Sequence, residues 1–273
     1  MNKITDKVRS YAEVVYRLKN LREHLNNLVI TKLGEVHCST ETYDMFCIQV
    51  GTSTKPYVKR ICLAAGIHGD EPAGVEAMLT FLENFHEYAA LLEGIEVIIL
   101  PCDNPFGYER NIRSNADGLD LNQQFQDSNR TPEILMIKKA IGQRSFDMSL
   151  DFHEDVESEG FYLWERKFPT PLFPPVDGGM KGGSIGDAVI QKMAQEYPIE
   201  RKSQIEGFPN RQGVIFLDKR PLEKGWTLEH YLFQNGTKYC LTLETPVNMP
   251  LQKRVEMHLF ALKTSLQLLR FQK

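Results

Sequence analysis

The sequence predicts an α/β protein, a three-layer sandwich whose mixed, largely parallel central sheet is flanked by helices. Short apolar runs bounded by turn residues alternate with longer segments of helical periodicity, the signature of strands joined by crossover helices. Two of those runs, 58–65 and 96–101, are apolar almost throughout, as strands covered on both faces are. The 273 residues include no Pro/Ser/Gly-rich linker that divides them, so one domain over 1–273 is expected.

At the N-terminus, Val14, Val15, Leu18, Leu21, Leu25 and Leu28 recur at helical spacing between charged positions. They predict an amphipathic helix, within about 8–28, packing on the body. Strands are expected over 43–50 and 58–65. Pro72 suits the first turn of a helix running to about Tyr88. A strand at 96–101, a helix at 132–141 and a strand at 146–152 follow. The Pro- and Gly-rich stretch 168–186 reads as a long loop walling a cleft. Its Gly182-Gly183-Ser184 fits neither the P-loop nor the dinucleotide fingerprint. Strands at 214–217 and 239–243 and a closing helix at 251–271 complete the chain. Sheets of this kind place their sites beyond the carboxyl ends of the strands.

A net charge of -4 leaves no nucleic-acid footprint. No run approaches the roughly 20 apolar residues that span a bilayer. Residues 1–26 are charged throughout and lack the apolar core of a signal peptide. The five cysteines are scattered, odd in number and not closely paired, against both a disulfide framework and a Cys-based zinc site. The expected setting is the cytoplasm. Oligomeric state leaves no mark on the sequence.

Chemistry concentrates first in Ala65-Gly66-Ile67-His68-Gly69-Asp70-Glu71-Pro72. Here a buried strand ends and an imidazole and a carboxylate follow three residues apart, able to converge at a strand-to-helix turn. A catalytic zinc takes three such ligands and a water. His-x-x-Glu alone is often an ordinary polar turn. A third ligand comes from Asp151-Phe152-His153-Glu154-Asp155, just past another apolar run. The expected metal set is therefore His68, Glu71 and His153, holding one Zn2+ per chain. Glu154, Asp155 and Glu157 lie close by, but a second ion is not needed to explain the pattern.

Between these ligands lie Asn104-Pro105-Phe106-Gly107 and Arg113-Ser114-Asn115-Ala116-Asp117-Gly118-Leu119-Asp120-Leu121-Asn122. With them the chain resembles the zinc carboxypeptidase family, in particular its short bacterial carboxypeptidase and murein-peptide amidase subgroup. The shared motifs run from His68 to Glu244, most of the chain. The resemblance implies a carboxypeptidase-like fold and a hydrolase that cleaves a terminal amide or peptide bond of a short peptide. It makes Glu244 the general base and Arg113 the group that stabilises the oxyanion. Asp120 would orient His68 through its free ring nitrogen, and Asn122 would hold a substrate carboxylate.

One position departs from the family pattern. Gln123 stands where the family usually has an arginine gripping the substrate carboxylate, and a neutral amide cannot form that two-pronged ion pair. Three explanations stay open: Arg110 or Arg211 takes over the carboxylate, the substrate is neutral there, or the protein binds without turnover. Tyr231 is the candidate for the tyrosine that touches substrate in the family, with Tyr162 as its competitor. Competing functions are an N-acyl amino acid deacylase resembling the aspartoacylase and succinylglutamate desuccinylase branch, and a non-catalytic zinc-binding peptide sensor.

Overall fold

The structure is a computed structural model that describes residues 8–21, 28–39, 41–51, 59–126, 128, 130–167, 184–217 and 225–270. Helix α1 (Tyr11–Leu21) buries Tyr11, Val14, Leu18 and Leu21 along one stripe, as its spacing predicts. The expected helix does not reach Leu28, which instead opens strand β1 (Leu28–Cys38); 22–27 lie outside the described residues. Strand β2 (Glu41–Val50) pairs with β1 antiparallel, with a register shift between Lys32 and Gly34.

Strand β3 (Lys59–Ala65) leads to helix α2 (Pro72–Glu83), and strand β4 (Ile95–Leu100) to the short helix α3 (Pro105–Arg110). The helix predicted to run to Tyr88 breaks at Asn84 into a single 3-10 turn, Phe85–Glu87. Helix α4 (Pro132–Ile141) matches its predicted bounds, and strand β5 (Met148–Asp155) carries His153. Strand β6 (Tyr162–Lys167) is followed, after residues outside the description, by helix α5 (Ile185–Met193). Ser184 and Asp187 form a reciprocal capping box at its start, so Ile185 and Gly186 are helical where a loop was expected, and the rest of that expected loop, 168–183, lies outside the described residues. Strands β7 (Gln204–Ile205) and β8 (Phe208–Pro209) make a small ribbon, ahead of β9 (Val214–Phe216). Helix α6 (Leu228–Gln234), strand β10 (Tyr239–Pro246) and helix α7 (Leu251–Arg270) finish the chain.

Eight strands form one sheet in the order β1-β2-β4-β3-β5-β10-β6-β9. The central β4, β3, β5 and β10 run parallel, and antiparallel partners join on either side. Buried positions fill β4 and nearly all of β3 and β5, which requires cover on both faces of the sheet. Helices α2, α5 and α7 pack on one another and on the sheet, while α4 and α6 pack on it apart from that group. The predicted sandwich results, and the carboxyl ends of β3, β5 and β10 meet at one edge.

Candidate metal centre and cleft

At the carboxyl end of β3, Gly66 takes a left-handed conformation (φ 69°) and turns the chain toward α2. His68 and Glu71 sit in that turn. Gly69 is pressed so closely on the Gly107–Tyr108 backbone that an added Cβ would collide with it. Asn104 pins the turn from the other side. Its amide donates to Arg113 O at 3.2 Å, and its Oδ1 accepts from Gly107 N at 2.9 Å, starting α3. The Asn-Pro-x-Gly motif is thus a brace for the metal-ligand turn. Asn115 Oδ1 accepts from the backbone of Asp117 and Leu119, curling the chain between Arg113 and Asp120.

His68, Glu71 and His153 are all buried, and one donor atom from each lies within 4.8 Å of the others. His68 Nδ1 lies 2.7 Å from Glu71 Oε1, His153 Nδ1 lies 2.8 Å from Glu71 Oε2, and the two Nδ1 atoms are 3.1 Å apart. The outer nitrogens have acidic neighbours: His68 Nε2 is 3.2 Å from Asp120 Oδ1, and His153 Nε2 is 3.1 Å from Asp151 Oδ2. At His68, an Nε2–H directed at the Asp120 carboxylate leaves the Nδ1 lone pair facing inward, whereas the Asp151 carboxylate only lies near His153 Nε2. Two imidazole lone pairs and a carboxylate aimed at one point fit zinc. This observation supports the predicted ligand set.

Burial would raise the Glu71 carboxyl, but the two facing imidazoles outweigh it and hold the group well below the usual carboxylate range. Burial opposes charging of His68, yet Glu71 and Asp120 bring its net shift upward. Asp120 moves the other way, to about 2: burial resists, and the His68 and Arg113 contacts prevail. Arg113 bridges the two carboxylates, with Nη1 3.2 Å from Glu71 Oε1 and Nε 3.1 Å from Asp120 Oδ2. Its side chain keeps 52% of its surface exposed, so the guanidinium also faces the cleft.

Glu244 stands on β10 in register with His153 on β5 and opposite Tyr162 on β6. Burial pushes its carboxyl well up, against the pull of His153. With His68, Arg113 and His153 it lines a cleft of about 510 Å³, closed on another side by Tyr162, Glu206 and Lys202. A narrower extension of about 80 Å³ is lined by Asn122, Gln123, Trp164, Thr227, Glu229 and Thr242, again beside Glu244. Asn122 Oδ1 accepts from Leu228 N at 3.0 Å, which fixes its amide against α6.

Two predicted contacts do not reach this cleft. Arg110 turns the other way, pairing with Glu41, donating to Tyr43 Oη at 2.5 Å and stacking over Phe106. Tyr231 packs on Phe125 with ring centroids 5.8 Å apart, and Lys138 lies over its ring. The α-helical positions of both residues decide their direction, and sequence spacing alone did not reveal it. Tyr162, the competing tyrosine, does line the cleft and donates to Asp155 Oδ2 at 2.9 Å. Arg211 lies over the Phe216 ring.

Among the cleft residues, Trp164, Thr227, Glu229 and Thr242 were not anticipated, nor was the buried Asp151 beside His153. Alternation would have found some of them, since Tyr162 and Trp164 share one face of β6, and Asp151 shares a face of β5 with His153. Among the described residues, the carboxylates after His153 form no second cluster. Asp155 receives Tyr162, and Glu154 turns toward α2 and α7.

Comparison with known proteins gives the same picture. The sequence profile of the zinc carboxypeptidase family matches residues 18–158. Carboxypeptidase E of Caenorhabditis elegans is 34% identical over 199 residues, covering 61% of this chain and 41% of that protein. Human carboxypeptidase D is 29% identical over 157 residues, or 48% of this chain and 11% of that one. The chain thus spans less than half the length of these relatives. A solved structure from Shewanella amazonensis superposes with a TM-score of 0.75 at 23% identity, covering 95% of this chain and 97% of that one. The metallo-carboxypeptidase from Burkholderia cenocepacia gives 0.68 at 21% identity, covering 96% and 70%.

Proposed function

Because the chain belongs to the zinc carboxypeptidase family, we propose that it hydrolyses a terminal amide or peptide bond of a short peptide. In this reading His68, Glu71 and His153 hold one zinc ion. When bound, zinc supplies Lewis-acid polarisation of a carbonyl and draws the pKa of water toward neutrality. Glu244 takes the proton from the attacking water and returns it to the leaving amine, so that neither hydroxide nor amide ion is released. The observation that supports the proposal is the register of Glu244 with His153 on neighbouring parallel strands, both lining one cleft. Burial raises the Glu244 carboxyl, which makes its carboxylate a stronger proton acceptor and suits it to the base.

Arg113 offers N–H donors to the charge that develops on the carbonyl oxygen as the tetrahedral centre forms. Asn122 and Gln123 meet the substrate in the narrow extension. Gln123 offers an amide there, so this position favours hydrogen bonds to a neutral group over a bidentate grip on a carboxylate. That Tyr162 lines the cleft and Tyr231 does not supports Tyr162 as the tyrosine that touches substrate. A reducing, cytoplasmic setting agrees with five cysteines that are all buried and unpaired. Among the described residues no helix is long and apolar enough to cross a membrane.

The test is turnover and bound zinc for wild type and Glu244→Gln, on peptides with free and blocked C-termini and on N-acyl amino acids. The expected result is peptide cleavage by wild type, a loss of about 10²–10⁴-fold in Glu244→Gln, and equal zinc in both. Cleavage of the N-acyl amino acids alone would replace the peptidase reading with a deacylase. A zinc-loaded wild type that cuts nothing would make the protein a binder.

A further inference from the structure

We infer that Glu154, held by Arg254, is a positioning residue that fixes the metal ligands Glu71 and His153 relative to each other. The inference rests on the metal-site reading above.

Glu71 is the first residue of the α2 turn, and its own side chain caps nothing. Pro72 has no N–H, so the Ala73 amide is the first donor that the helix start leaves to be satisfied. Glu154 satisfies it from another element: its Oε2 accepts from Ala73 N at 2.7 Å. The backbone N–H of the same residue donates to Glu71 Oε2 at 3.2 Å. Its chain neighbour is His153. One residue therefore ties the end of the strand that bears one ligand to the ligand carboxylate itself and to the helix that starts beside it.

The Glu154 carboxylate is fully buried, with 0% of its side-chain surface exposed. Such a charge needs a partner, and Arg254 of α7 supplies it by pairing with Oε1. Arg254 is anchored in turn by its Nε–H to Met249 O at 3.0 Å. The helix N-terminus adds a favourable field for the anion. There is little slack in the joint, because a Cβ at Gly74 would sit 2.8 Å from Phe152. An ordinary helix cap would account for the Ala73 bond. It would not account for the second bond, to the ligand carboxylate, nor for an arginine brought from α7 to hold the cap in place.

The experiment measures zinc affinity by chelator competition, the visible spectrum of the cobalt(II)-loaded protein, and melting of the metal-free protein. Arg254→Met alone strands a buried carboxylate and endangers the fold. The double variant Glu154→Gln/Arg254→Met removes both charges and keeps an acceptor for Ala73. Arg60→Met, which breaks the pair with Glu96 at the opposite end of β3, is the control.

The expected result is a folded double variant that melts cooperatively, binds zinc about 10–100-fold more weakly and shows an altered cobalt spectrum. Arg254→Lys should recover most of the affinity, and the control should bind as wild type does. Wild-type affinity and an unchanged cobalt spectrum in the double variant would overturn the inference and leave the metal site standing. A wild type that binds neither ion would overturn both.

Discussion

His68 and His153 both turn Nδ1 toward Glu71, and each Nε2 has an aspartate nearby, hydrogen-bonded at His68 and only adjacent at His153. Arg113 lies across Glu71 and Asp120 but keeps half its side-chain surface exposed, which agrees with the proposed contact to substrate. Arg113→Met is expected to lower kcat by about 10²–10³-fold with zinc content unchanged, as the removal of one oxyanion donor does. Steady-state kinetics beside metal analysis check this, and a loss of zinc in place of kcat would assign the residue to ligand support. Single residues were legible where chemistry restricts the choice. Imidazole and carboxylate at His-x-x-Glu, and a histidine ending an apolar run, pointed to three residues whose ligand atoms the fold brings within 4.8 Å of one another. Arg110 and Tyr231 were not legible, because nothing in the local sequence says that one turns to Glu41 and the other to Phe125.

Among the elements, α7 does more than close the chain. His258 is wholly buried on it, tilted against Phe152 at 5.0 Å, with Nε2 3.3 Å from the Thr245 hydroxyl that follows Glu244. Burial pushes its imidazole down to about 3, far below the value near 6.5 expected in an unfolded chain. The unfolded state thus takes up the proton first. Stability from this group is complete above about pH 6.5 and is lost as pH falls toward 3, at up to about 1.4 kcal/mol per unit. His258→Gln should flatten the slope of unfolding free energy between pH 7 and pH 5, read from denaturant titrations. An unchanged slope would show that His258 is not the group that charges on unfolding. The sequence announced elements whose periodicity is strong, as in α4 and the apolar β3 and β4. It concealed β1, where charged and apolar residues mix as they do in a helix. Helix α5 was not anticipated either, because the Gly- and Pro-rich stretch before its Ser184–Asp187 capping box suggested loop through 186.

For the whole molecule, the alternation of strand and helix predicted the sandwich and the edge at which its site lies. Strand order was a different matter. That β10, the last strand in the sequence, pairs in parallel with β5 is a long-range choice that no local pattern encodes. It is also the choice that sets Glu244 beside His153. The proposed chemistry would therefore rest on that pairing, which brings Glu244 to the edge where His68, Glu71 and His153 already meet. The claim beneath the whole account is that His68, Glu71 and His153 bind one zinc ion. Anomalous diffraction at the zinc edge from crystals grown with the metal tests it directly. The account predicts one peak, about 2.0–2.2 Å from His68 Nδ1, His153 Nδ1 and a Glu71 oxygen. No peak there, or a peak held by other residues, would contradict it.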